Sequence, residues 1–377
     1  MLDSHQQGMN VARPRFPGNN VAVAFSVNEN HAPFLAVSLY SLLRCASSNH
    51  NYDLFVIHER DGIARTTQDR LQRMVGVFQN ATLKFVTPSE DVCVKCGRLT
   101  LATSEARFQR SHPGLPSLIF YRLFLGDIFP SYEKMVHLDC DVLVCSDIAE
   151  LYETDLCGLP FAAATDVGQA PCVYERRFAL QHISAPQRYF NAGVHIQDLD
   201  YFRRHEVGAK AAALLEQYDF DYIEQDALNI VLDGLWLNVG LEWNYFVPLL
   251  LNQDQSMAVL PVELQNEGET IEREKTWKII HYAPCKPWPS KGTAYCGVYT
   301  SLWWETALST PGYEAFFKTM LKDGFSAVAR EIQQQRFKSL FSLPRQRRKR
   351  NRKIARLLGV KKFYLETLDQ VLQYHEK

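Results

Sequence analysis

Several common signatures are missing from this 377-residue sequence. It contains no Gly-x-Gly-x-x-Gly fingerprint and no Walker loop, so ordinary dinucleotide-binding or P-loop chemistry is not expected. No apolar run reaches the roughly 18 residues that spanning a bilayer requires, so an integral membrane protein is not expected either. Internal repeats and low-complexity segments are also missing. With 46% hydrophobic residues, the chain is long enough to bury a large core in one domain or two.

The cysteines indicate a reducing compartment. They are nine in number, without a repeated spacing, and the first twenty residues are polar, unlike a cleavable signal peptide. We therefore expect a cytosolic protein. The pair Cys93-x-x-Cys96 has the spacing of a zinc-binding pair, but no second cysteine or histidine pair follows at zinc-finger distance. Coincidence is the favoured interpretation of this pair.

Strand-like runs alternate with helical patterns over the first 140 residues. The strands are predicted at 21–25, 53–57, 83–86 and 135–138, and the helices at 33–44, 66–78 and 116–125. This alternation is typical of strands that are joined by crossover helices. We predict an α/β fold with an open, mostly parallel, Rossmann-like sheet that is flanked by helices. Ligands bind such sheets beyond the carboxyl ends of the strands.

Two carboxylates follow the last of these strands. The segment from Lys134 to Val144 reads KMVHLDCDVLV, so an apolar run leads directly into Asp139 and Asp141. Because side chains alternate faces along a strand, both carboxylates point the same way. Such a pair forms a hard oxygen site that suits Mg²⁺ or Mn²⁺ holding a diphosphate. For the motif taken alone, the alternative is a strand end with two solvated aspartates.

The C-terminal region is electrostatically separate from the rest. Residues 345–362 contain ten basic residues and no acidic one, and since the whole chain has a formal charge of −1, the remainder carries −11. Apolar residues recur at three- and four-residue steps from Ile354 to Leu372, which predicts an amphipathic helix. A basic cluster beside such a helix suits an anionic membrane surface. A nucleic-acid partner is not expected because no nucleic-acid motif accompanies the cluster, and a solvated helix packed on the body remains an alternative.

A series of short polar and aromatic blocks carries a family resemblance. The blocks are FSVNEN at 25–30, YRL at 121–123, LDCDVL at 138–143, YFNAGV at 189–194, EQDALN at 224–229, WNY at 243–245, and HY at 281–282 followed by KPW at 286–288. In this order they resemble the family 8 retaining glycosyltransferases of GT-A fold. Within that family the resemblance is nearest to the bacterial lipopolysaccharide core galactosyl- and glucosyltransferases, because of the basic tail.

The resemblance implies a role for each block. Asp139, Asp141 and His281 would ligate Mn²⁺ or Mg²⁺ between the two phosphates of a UDP-sugar, and Lys286 would reach the diphosphate as a point charge. Nucleotide and sugar contacts would come from Asn28, Asn30, Arg122, Asp166, Asn191 and the backbone around Ala192. A catalytic set would comprise Gln225 on the reactive face of the anomeric carbon, Asp226 in support and Arg122. Asp226 has a second interpretation as a helix-start residue.

Two segments differ from the family pattern, the end of the first strand and the loop that follows His281. Asn28 stands where bacterial relatives usually have an acidic residue that meets the uracil, and His31 stands where an aromatic ring often stacks on the base. The loop from His281 to Lys286 lacks the usual glycine and is one residue shorter. Without that glycine, we do not expect a close backbone contact to the phosphate.

The resulting hypothesis is a metal-dependent retaining glycosyltransferase. It would move glucose or galactose from UDP-glucose or UDP-galactose to a saccharide or lipid-linked glycan, in lipopolysaccharide core or another cell-surface glycan, on the inner face of the cytoplasmic membrane. The expected organisation is a polar extension at 1–19, a GT-A domain at 20–308 and a helical region at 309–377, with the membrane-associating segment at 345–377. The alternatives are a haloacid-dehalogenase-type phosphatase with Asp139 as nucleophile, and a non-catalytic glycan- or membrane-binding relative.

Overall fold

The structure is a computed structural model. It describes residues 12–104, 117–166, 182–184, 188–246, 277–283, 286–288 and 298–314, with isolated positions beyond. Apart from residue 346, the basic segment 345–377 lies outside the described residues. Of the helices in the part of the chain that is described, none is both long and apolar enough to cross a membrane.

The chain divides into two compact units, and each is described by itself. The first unit comprises Met1–Tyr245 and Asp254–Ile280, and the second comprises Phe246–Gln253 and His281–Lys377. The predicted boundaries at residues 19 and 308 remain predictions.

The first unit begins with the alternation that the sequence predicts. Its elements are β1 (Asn20–Ser26), α1 (Ala32–Arg44), β2 (Asn51–Ile57), α2 (Arg65–Val75), β3 (Ala81–Val86), α3 (Glu90–Ala102), a 3-10 helix (Ser117–Phe124), α4 (Leu125–Ile128) and β4 (Lys134–Leu138). They continue with β5 (Val142–Val144), α5 (Ile148–Tyr152), β6 (Phe161–Thr165), β7 (Phe190–Asp198), α6 (Leu199–Arg204), α7 (Val207–Gln217), α8 (Ile223–Val231), β8 (Trp236–Asn238) and a 3-10 helix (Leu241–Trp243). Two short strands follow, β9 (Tyr245–Phe246) and β10 (Ile279–His281), and the last residue of each belongs to the second unit.

The main sheet confirms the predicted α/β architecture. Its seven strands have the order β3-β2-β1-β4-β7-β6-β8. β7 pairs antiparallel with both of its neighbours, and the other pairs are parallel. The central strands β1 and β2 are mostly apolar and are buried on both faces, as strands of a parallel sheet covered by helices are. A second sheet has the order β5-β10-β9.

The strand order places a topological switch point between β1 and β4. From β1 the chain moves outward to β2 and β3, and it then returns to form β4 on the other side of β1. The carboxyl ends of two neighbouring strands whose connections leave in opposite directions form a crevice in which α/β proteins bind ligands. Asn28 follows β1 and Asp139 follows β4, so both lie at this crevice.

The second unit is organised around aromatic residues. Its helix α9 (Val298–Ser309) carries Trp303 and Trp304, which are both buried. The indole nitrogen of Trp304 donates to the Pro287 carbonyl at 2.8 Å, and the Trp303 ring lies 5.1 Å from that of Trp288. The hydroxyl of Tyr282 donates to the Tyr299 carbonyl at 2.7 Å. These contacts tie the chain that follows β10 to α9.

The Cys93-x-x-Cys96 pair lies within α3. Burial raises the pKa of the Cys96 thiol, which disfavours the thiolate that a metal needs as ligand.

Candidate active site

The two aspartates of the Asp-x-Asp motif lie together at the end of β4. Their carboxylate oxygens approach within 4.8 Å of each other, and both side chains are partly exposed. The amide of Asp139 donates to the Gly193 carbonyl at 2.7 Å, which ties the motif to β7. Two hard oxygen donors at this spacing fit Mg²⁺ or Mn²⁺ and fit a soft metal poorly.

Arg122 is buried beside this motif. One guanidinium nitrogen, Nη2, donates to Asp139 Oδ1 at 2.6 Å, and the other, Nη1, donates to the Ala192 carbonyl at 2.8 Å. Nη1 also lies 3.5 Å from Glu224 Oε1. Burial disfavours the charged guanidinium, but the carboxylates of Asp139 and Glu224 outweigh it and raise the pKa of Arg122. Arg122 therefore stays charged and holds one oxygen of Asp139 in place.

Arg122 lies on the 3-10 helix Ser117–Phe124, in the segment 116–125 for which the sequence predicts a helix. The helix α7 packs closely against it at Gly208. A Cβ atom on Gly208 would lie 2.2 Å from the Leu123 carbonyl oxygen, so only glycine permits this approach. The close packing fixes the backbone from which Arg122 projects.

Burial dominates the electrostatics of Glu224. It raises the pKa of this carboxyl to about 7, although the Arg122 guanidinium acts in the opposite direction. Glu224 is the first residue of the Glu-Gln-Asp block and lies in the first turn of α8. Near neutral pH it is therefore able to exist in either protonation state.

A break in strand register builds the second part of the site. Ala163 of β6 pairs with His195, but Thr165, two residues later, pairs with Phe190, five residues earlier. The intervening part of β7 bulges and carries Asn191 and Ala192. Bulges of this kind occur next to active sites because they redirect side chains. The bulge brings Asn191 to Asp166, which follows β6, with Asn191 Nδ2 donating to Asp166 Oδ2 at 3.2 Å.

Gln225 connects this pair to α8. Its carbonyl oxygen Oε1 accepts from the Ala192 amide and from Asn191 Nδ2, both at 3.0 Å. Its Nε2 donates to Asp166 Oδ2 and to the Tyr189 hydroxyl, both also at 3.0 Å. The structure thus brings four of the predicted site residues into one hydrogen-bonded cluster at the carboxyl ends of the strands.

Asp226 is fully buried. Its Oδ1 accepts from the Tyr189 hydroxyl at 2.5 Å, and its Oδ2 accepts from the Tyr222 amide at 2.9 Å. Asp226 is the fourth residue of α8, and the second contact reaches back to the amide of the N-cap residue Tyr222, much as the acidic residue of a capping box does.

The loop after β1 holds Asn28 and Asn30 at the crevice. Asn28 Oδ1 lies 2.7 Å from His31 Nδ1, and Asn30 is exposed in a short 3-10 helix, Glu29–His31. Glu29 accepts from the Ala64 amide at 2.8 Å and from the Thr67 hydroxyl at 2.7 Å. Glu29 therefore caps α2, which has no side-chain cap of its own, and fixes the loop that carries the two asparagines.

Two further predicted residues belong to the second unit. His281 ends β10 and is buried, with its ring 5.2 Å from that of Phe246. Lys286 Nζ lies 5.8 Å from the ring centre of Trp288, at cation–π distance.

Two residues that hydrogen-bond to the backbone of the site, His195 and Gln197, are not among those predicted from the sequence. His195 Nδ1 lies 2.8 Å from the Ala192 carbonyl, and Gln197 Nε2 lies 2.8 Å from the Arg122 carbonyl and 3.0 Å from His195 Nε2. A carbonyl only accepts, so Gln197 Nε2 donates and His195 Nε2 accepts, which leaves the proton of a neutral imidazole on Nδ1. His195 and Gln197 alternate with Val194 and Ile196 in the buried part of β7, and their polar character there is the signal that marks them.

The buried His195 is expected to make the protein sensitive to acid. Burial lowers its pKa to about 3, whereas an unfolded histidine titrates near 6.5. Because the unfolded state then binds the extra proton, the stability that this group contributes is present above about pH 6.5 and is lost as the pH falls toward 3. His195→Asn, which keeps a donor for the Ala192 carbonyl, should reduce the pH slope of unfolding free energy by up to about 1.4 kcal/mol per pH unit.

Urea unfolding between pH 7 and pH 5 measures this slope. His205, which is exposed on the surface, provides the matched control, and His205→Asn should keep the wild-type slope. Equal slopes for the wild type and His195→Asn would contradict the prediction.

The comparisons with known proteins agree with this geometry. The family model described as Glycosyl transferase family 8 matches residues 22–292. General stress protein A of Bacillus subtilis (strain 168) is 27% identical over 270 residues, which cover 70% of this chain and 85% of that protein. The lipopolysaccharide 1,2-glucosyltransferase of Escherichia coli (strain K12) is 24% identical over 279 residues, which cover 71% and 72% of the two chains. The chain spans 23% of the length of the Streptococcus pneumoniae glycosyltransferase GlyA.

Solved structures share the fold. The galactosyltransferase LgtC, in complex with donor and acceptor sugar analogues, has a TM-score of 0.60 at 22% identity, covering 77% of this chain and 96% of that one. The bifunctional glycosyltransferase WbbM has a TM-score of 0.64 at 21% identity, and this chain covers 53%, or about half, of its length. The family match extends over more than half of the sequence and includes the Asp-x-Asp motif, the bulged strand and the Glu-Gln-Asp helix. The chain therefore belongs to glycosyl transferase family 8 and is a glycosyltransferase.

Proposed function

We propose that this glycosyltransferase moves a hexose, glucose or galactose, from a UDP-sugar to a saccharide acceptor with retention of anomeric configuration. The observation that carries the proposal is the pair Asp139 and Asp141 at the switch point, in the same unit as the polar cluster of Asp166, Asn191 and Gln225. A metal–diphosphate site beside a group of amides and carboxylates suits a nucleotide-sugar, because such groups match pairs of sugar hydroxyls. Family membership favours transfer over the phosphatase and the non-catalytic alternatives.

The proposed acceptor is lipopolysaccharide core or another cell-surface glycan. Similar proteins support this choice, since they include the lipopolysaccharide 1,2-glucosyltransferase of Escherichia coli and a lipopolysaccharide 1,3-galactosyltransferase of Salmonella typhimurium. The same two proteins support glucose and galactose as the candidate hexoses.

The proposed metal ligands are Asp139, Asp141 and His281. Strand pairing supports the histidine. The amide of Cys145, just after β5, donates to the carbonyl of Lys278, just before β10, at 2.8 Å, so the two strands run in opposite directions. β5 begins directly after Asp141, and its partner strand ends at His281. A bound Mn²⁺ or Mg²⁺ would neutralise charge on the departing diphosphate.

The remaining residues would position the donor. We assign Asn28 and Asn30 to the nucleoside, since they lie at the switch point on the β1 side. Lys286 would meet the diphosphate, and the sugar would be held by the side chains of Arg122, Asp166 and Asn191 and by the backbone at Ala192. Gln225 would face the reactive side of the anomeric carbon. Its side-chain amide is held by four hydrogen bonds, so its position and orientation in the site are fixed before the donor binds.

An activity assay tests the proposed function. The purified chain is incubated with UDP-glucose, UDP-galactose or p-nitrophenyl phosphate in the presence of Mn²⁺. We expect UDP release from at least one UDP-sugar, abolition of this release by EDTA, and no cleavage of the phosphate ester. Phosphate-ester cleavage alone would favour the phosphatase alternative, and no turnover of any substrate would favour a non-catalytic relative.

We further propose that the basic segment 345–377 holds the enzyme at an anionic membrane, on the cytoplasmic face where a lipid-linked glycan is built. The support comes from its ten basic residues without an acid and from the apolar positions that follow. Electrostatic attraction should weaken as salt increases, whereas the apolar contact should persist.

Deletion of residues 345–377 should release the protein from anionic vesicles while metal-dependent UDP release continues. Co-sedimentation with vesicles of phosphatidylglycerol and phosphatidylcholine, at low and at high salt, measures the binding. Vesicles of phosphatidylcholine alone provide the control, to which neither protein should bind strongly. Equal binding of the full and shortened chains to anionic vesicles would refute the proposal.

A further inference from the structure

The hydrogen bonds around Gln225 have only one consistent direction. The Ala192 amide is a donor, so the group that faces it must be the carbonyl oxygen of Gln225. The amide nitrogen of Gln225 then lies toward Tyr189, and it donates to the phenol oxygen at 3.0 Å. The backbone amide of Ala192 can only donate, so it fixes which end of the Gln225 side chain is the oxygen. The assignment therefore does not rest on choosing between two flipped orientations of that side chain.

The chain of hydrogen bonds continues from Tyr189 to Asp226. Because the Tyr189 oxygen accepts from Gln225, its own proton is available for the 2.5 Å contact with Asp226 Oδ1. A hydroxyl that donates to a carboxylate makes a strong, charge-assisted bond. It also becomes a better acceptor for the next donor in the chain, because successive hydrogen bonds polarise one another. The fully buried carboxyl group of Asp226 is thus linked to the Gln225 side-chain amide through one phenol.

The backbone is strained at Ile223, two residues before Gln225, and a hydrogen bond to Asp226 stabilises this conformation. Ile223 has a φ of 40°, which lies in the left-handed region that a β-branched residue avoids. Such strain persists only where surrounding contacts over-determine the conformation. Two hydrogen bonds close the turn. The backbone amide of Tyr222 donates to Asp226 Oδ2 at 2.9 Å, and the backbone amide of Gln225 donates to the Tyr222 carbonyl at 3.0 Å.

We propose that Tyr189 is a positioning residue through which the buried carboxylate of Asp226 orients and polarises Gln225. This inference rests on the proposed function only for its kinetic consequence. In this proposal, Tyr189 and Asp226 do not contact the UDP-sugar. They act by fixing the position of the Gln225 side-chain oxygen and the strained turn at Ile223. Asp226 thereby has a role other than that of a group in contact with the sugar.

The chain offers a matched control in a second buried tyrosine–aspartate pair. The hydroxyl of Tyr132 donates to Asp53 Oδ2 at 3.3 Å, and both residues are buried in the same unit. Tyr132 precedes β4 and so lies at the opposite end of that strand from Asp139. Tyr189→Phe and Tyr132→Phe therefore each remove one hydroxyl from a buried aspartate, but only Tyr189 is bonded to Gln225.

Kinetics and amide exchange together test the proposal. Tyr189→Phe should lower kcat for UDP release about tenfold or more with little change in donor KM, and Tyr132→Phe should leave both unchanged. In the Gln225→Ala background, Tyr189→Phe should have almost no further effect, since the coupling runs through that amide. A rise in donor KM with unchanged kcat, or equal losses on both backgrounds, would overturn the proposal.

A second readout is independent of turnover. In protein labelled at glutamine nitrogen, the Gln225 side-chain protons should exchange slowly with solvent, and their signal is assigned by its loss in Gln225→Ala. Tyr189→Phe should accelerate this exchange, and Tyr132→Phe should not. If Tyr189→Phe does not fold, Asp226→Asn keeps the hydroxyl and should still accelerate exchange. If a folded variant shows the wild-type exchange rate of the Gln225 side-chain protons, the proposal is overturned. This outcome does not depend on which sugar the enzyme transfers.

Discussion

Asp141→Asn is expected to lower metal-dependent UDP release by about 100-fold or more while leaving the fold intact. Asp141 is partly exposed at the end of β4, so the substitution should have little effect on the core. The lost negative charge is one that a hard divalent cation needs from its ligands. Electrostatic stabilisation of a departing diphosphate contributes several kcal/mol, which corresponds to a rate effect of this size.

Asp139→Asn should reduce UDP release to a similar extent, but it should also lower stability. Asp139 accepts from the buried Arg122, and a neutral amide leaves that guanidinium with less compensation. Initial rates over a Mn²⁺ titration and urea unfolding separate the two effects. Asp69→Asn, at an exposed carboxylate on α2 that pairs with Arg65, serves as the control and should retain full activity. Wild-type rates in both variants, or a wild-type rate that resists EDTA, would contradict the metal-site proposal.

The central strands are predictable from the sequence because of their local composition. β1, β2 and β4 are short apolar runs, and each is buried on both faces. The carboxylates after β4 then fall at a strand end, where ligands bind in α/β sheets. For β1, β2 and β4, the local sequence pattern matches the position of each strand in the sheet. The Asp-x-Asp motif and this part of the sheet are therefore both predictable from the sequence.

The bulged half of the site is only partly predictable. The sequence indicates that the YFNAGV block is a strand with sugar-binding groups, but the register break opposite Ala163 depends on pairing with β6. Pairing between distant segments leaves no local pattern. For the same reason, the partnership of Tyr189 with Asp226, across 37 positions of sequence, cannot be predicted from either residue alone. The polar character of His195 and Gln197 is visible in the sequence, but the hydrogen bonds that link them to each other and to the Arg122 carbonyl depend on the fold.

The 3-10 geometry around Arg122 differs from the helix that the sequence predicts. The apolar spacing of the segment SLIFYRLF suits either helix type, because both bring residues three apart to one side. The choice is made by packing, and Gly208 of α7 lies against the Leu123 carbonyl. This contact is distant in sequence, so a single-sequence prediction finds the helical character and the arginine but misses the tighter winding.

Arg122→Ala is expected to have the largest effect on stability in this site. The substitution removes the cation between Asp139 and Glu224, and breaking a buried ion pair by removing one partner costs about 3–5 kcal/mol. It also removes the donor that holds the Ala192 carbonyl. UDP release should therefore fall together with the unfolding free energy.

Arg122→Lys separates charge from geometry. Lysine keeps the positive charge, but it cannot donate from two fixed nitrogens to Asp139 and to the Ala192 carbonyl at once. We expect this variant to recover most of the stability and little of the UDP release. Urea unfolding and initial rates with saturating donor measure the two quantities.

Arg203→Ala provides the matched control for Arg122→Ala. Arg203 is a partly buried arginine whose guanidinium donates to the Gly126 and Tyr132 carbonyls, away from the carboxylates of the site. Its loss should lower the unfolding free energy while UDP release by the folded protein remains at the wild-type rate. If Arg122→Ala instead unfolds at the wild-type urea concentration and retains the wild-type rate, the ion pair with Asp139 supports neither the fold nor the transfer. An equal loss of rate in Arg122→Ala and Arg203→Ala would mean that general destabilisation, and not the position of Asp139, limits activity.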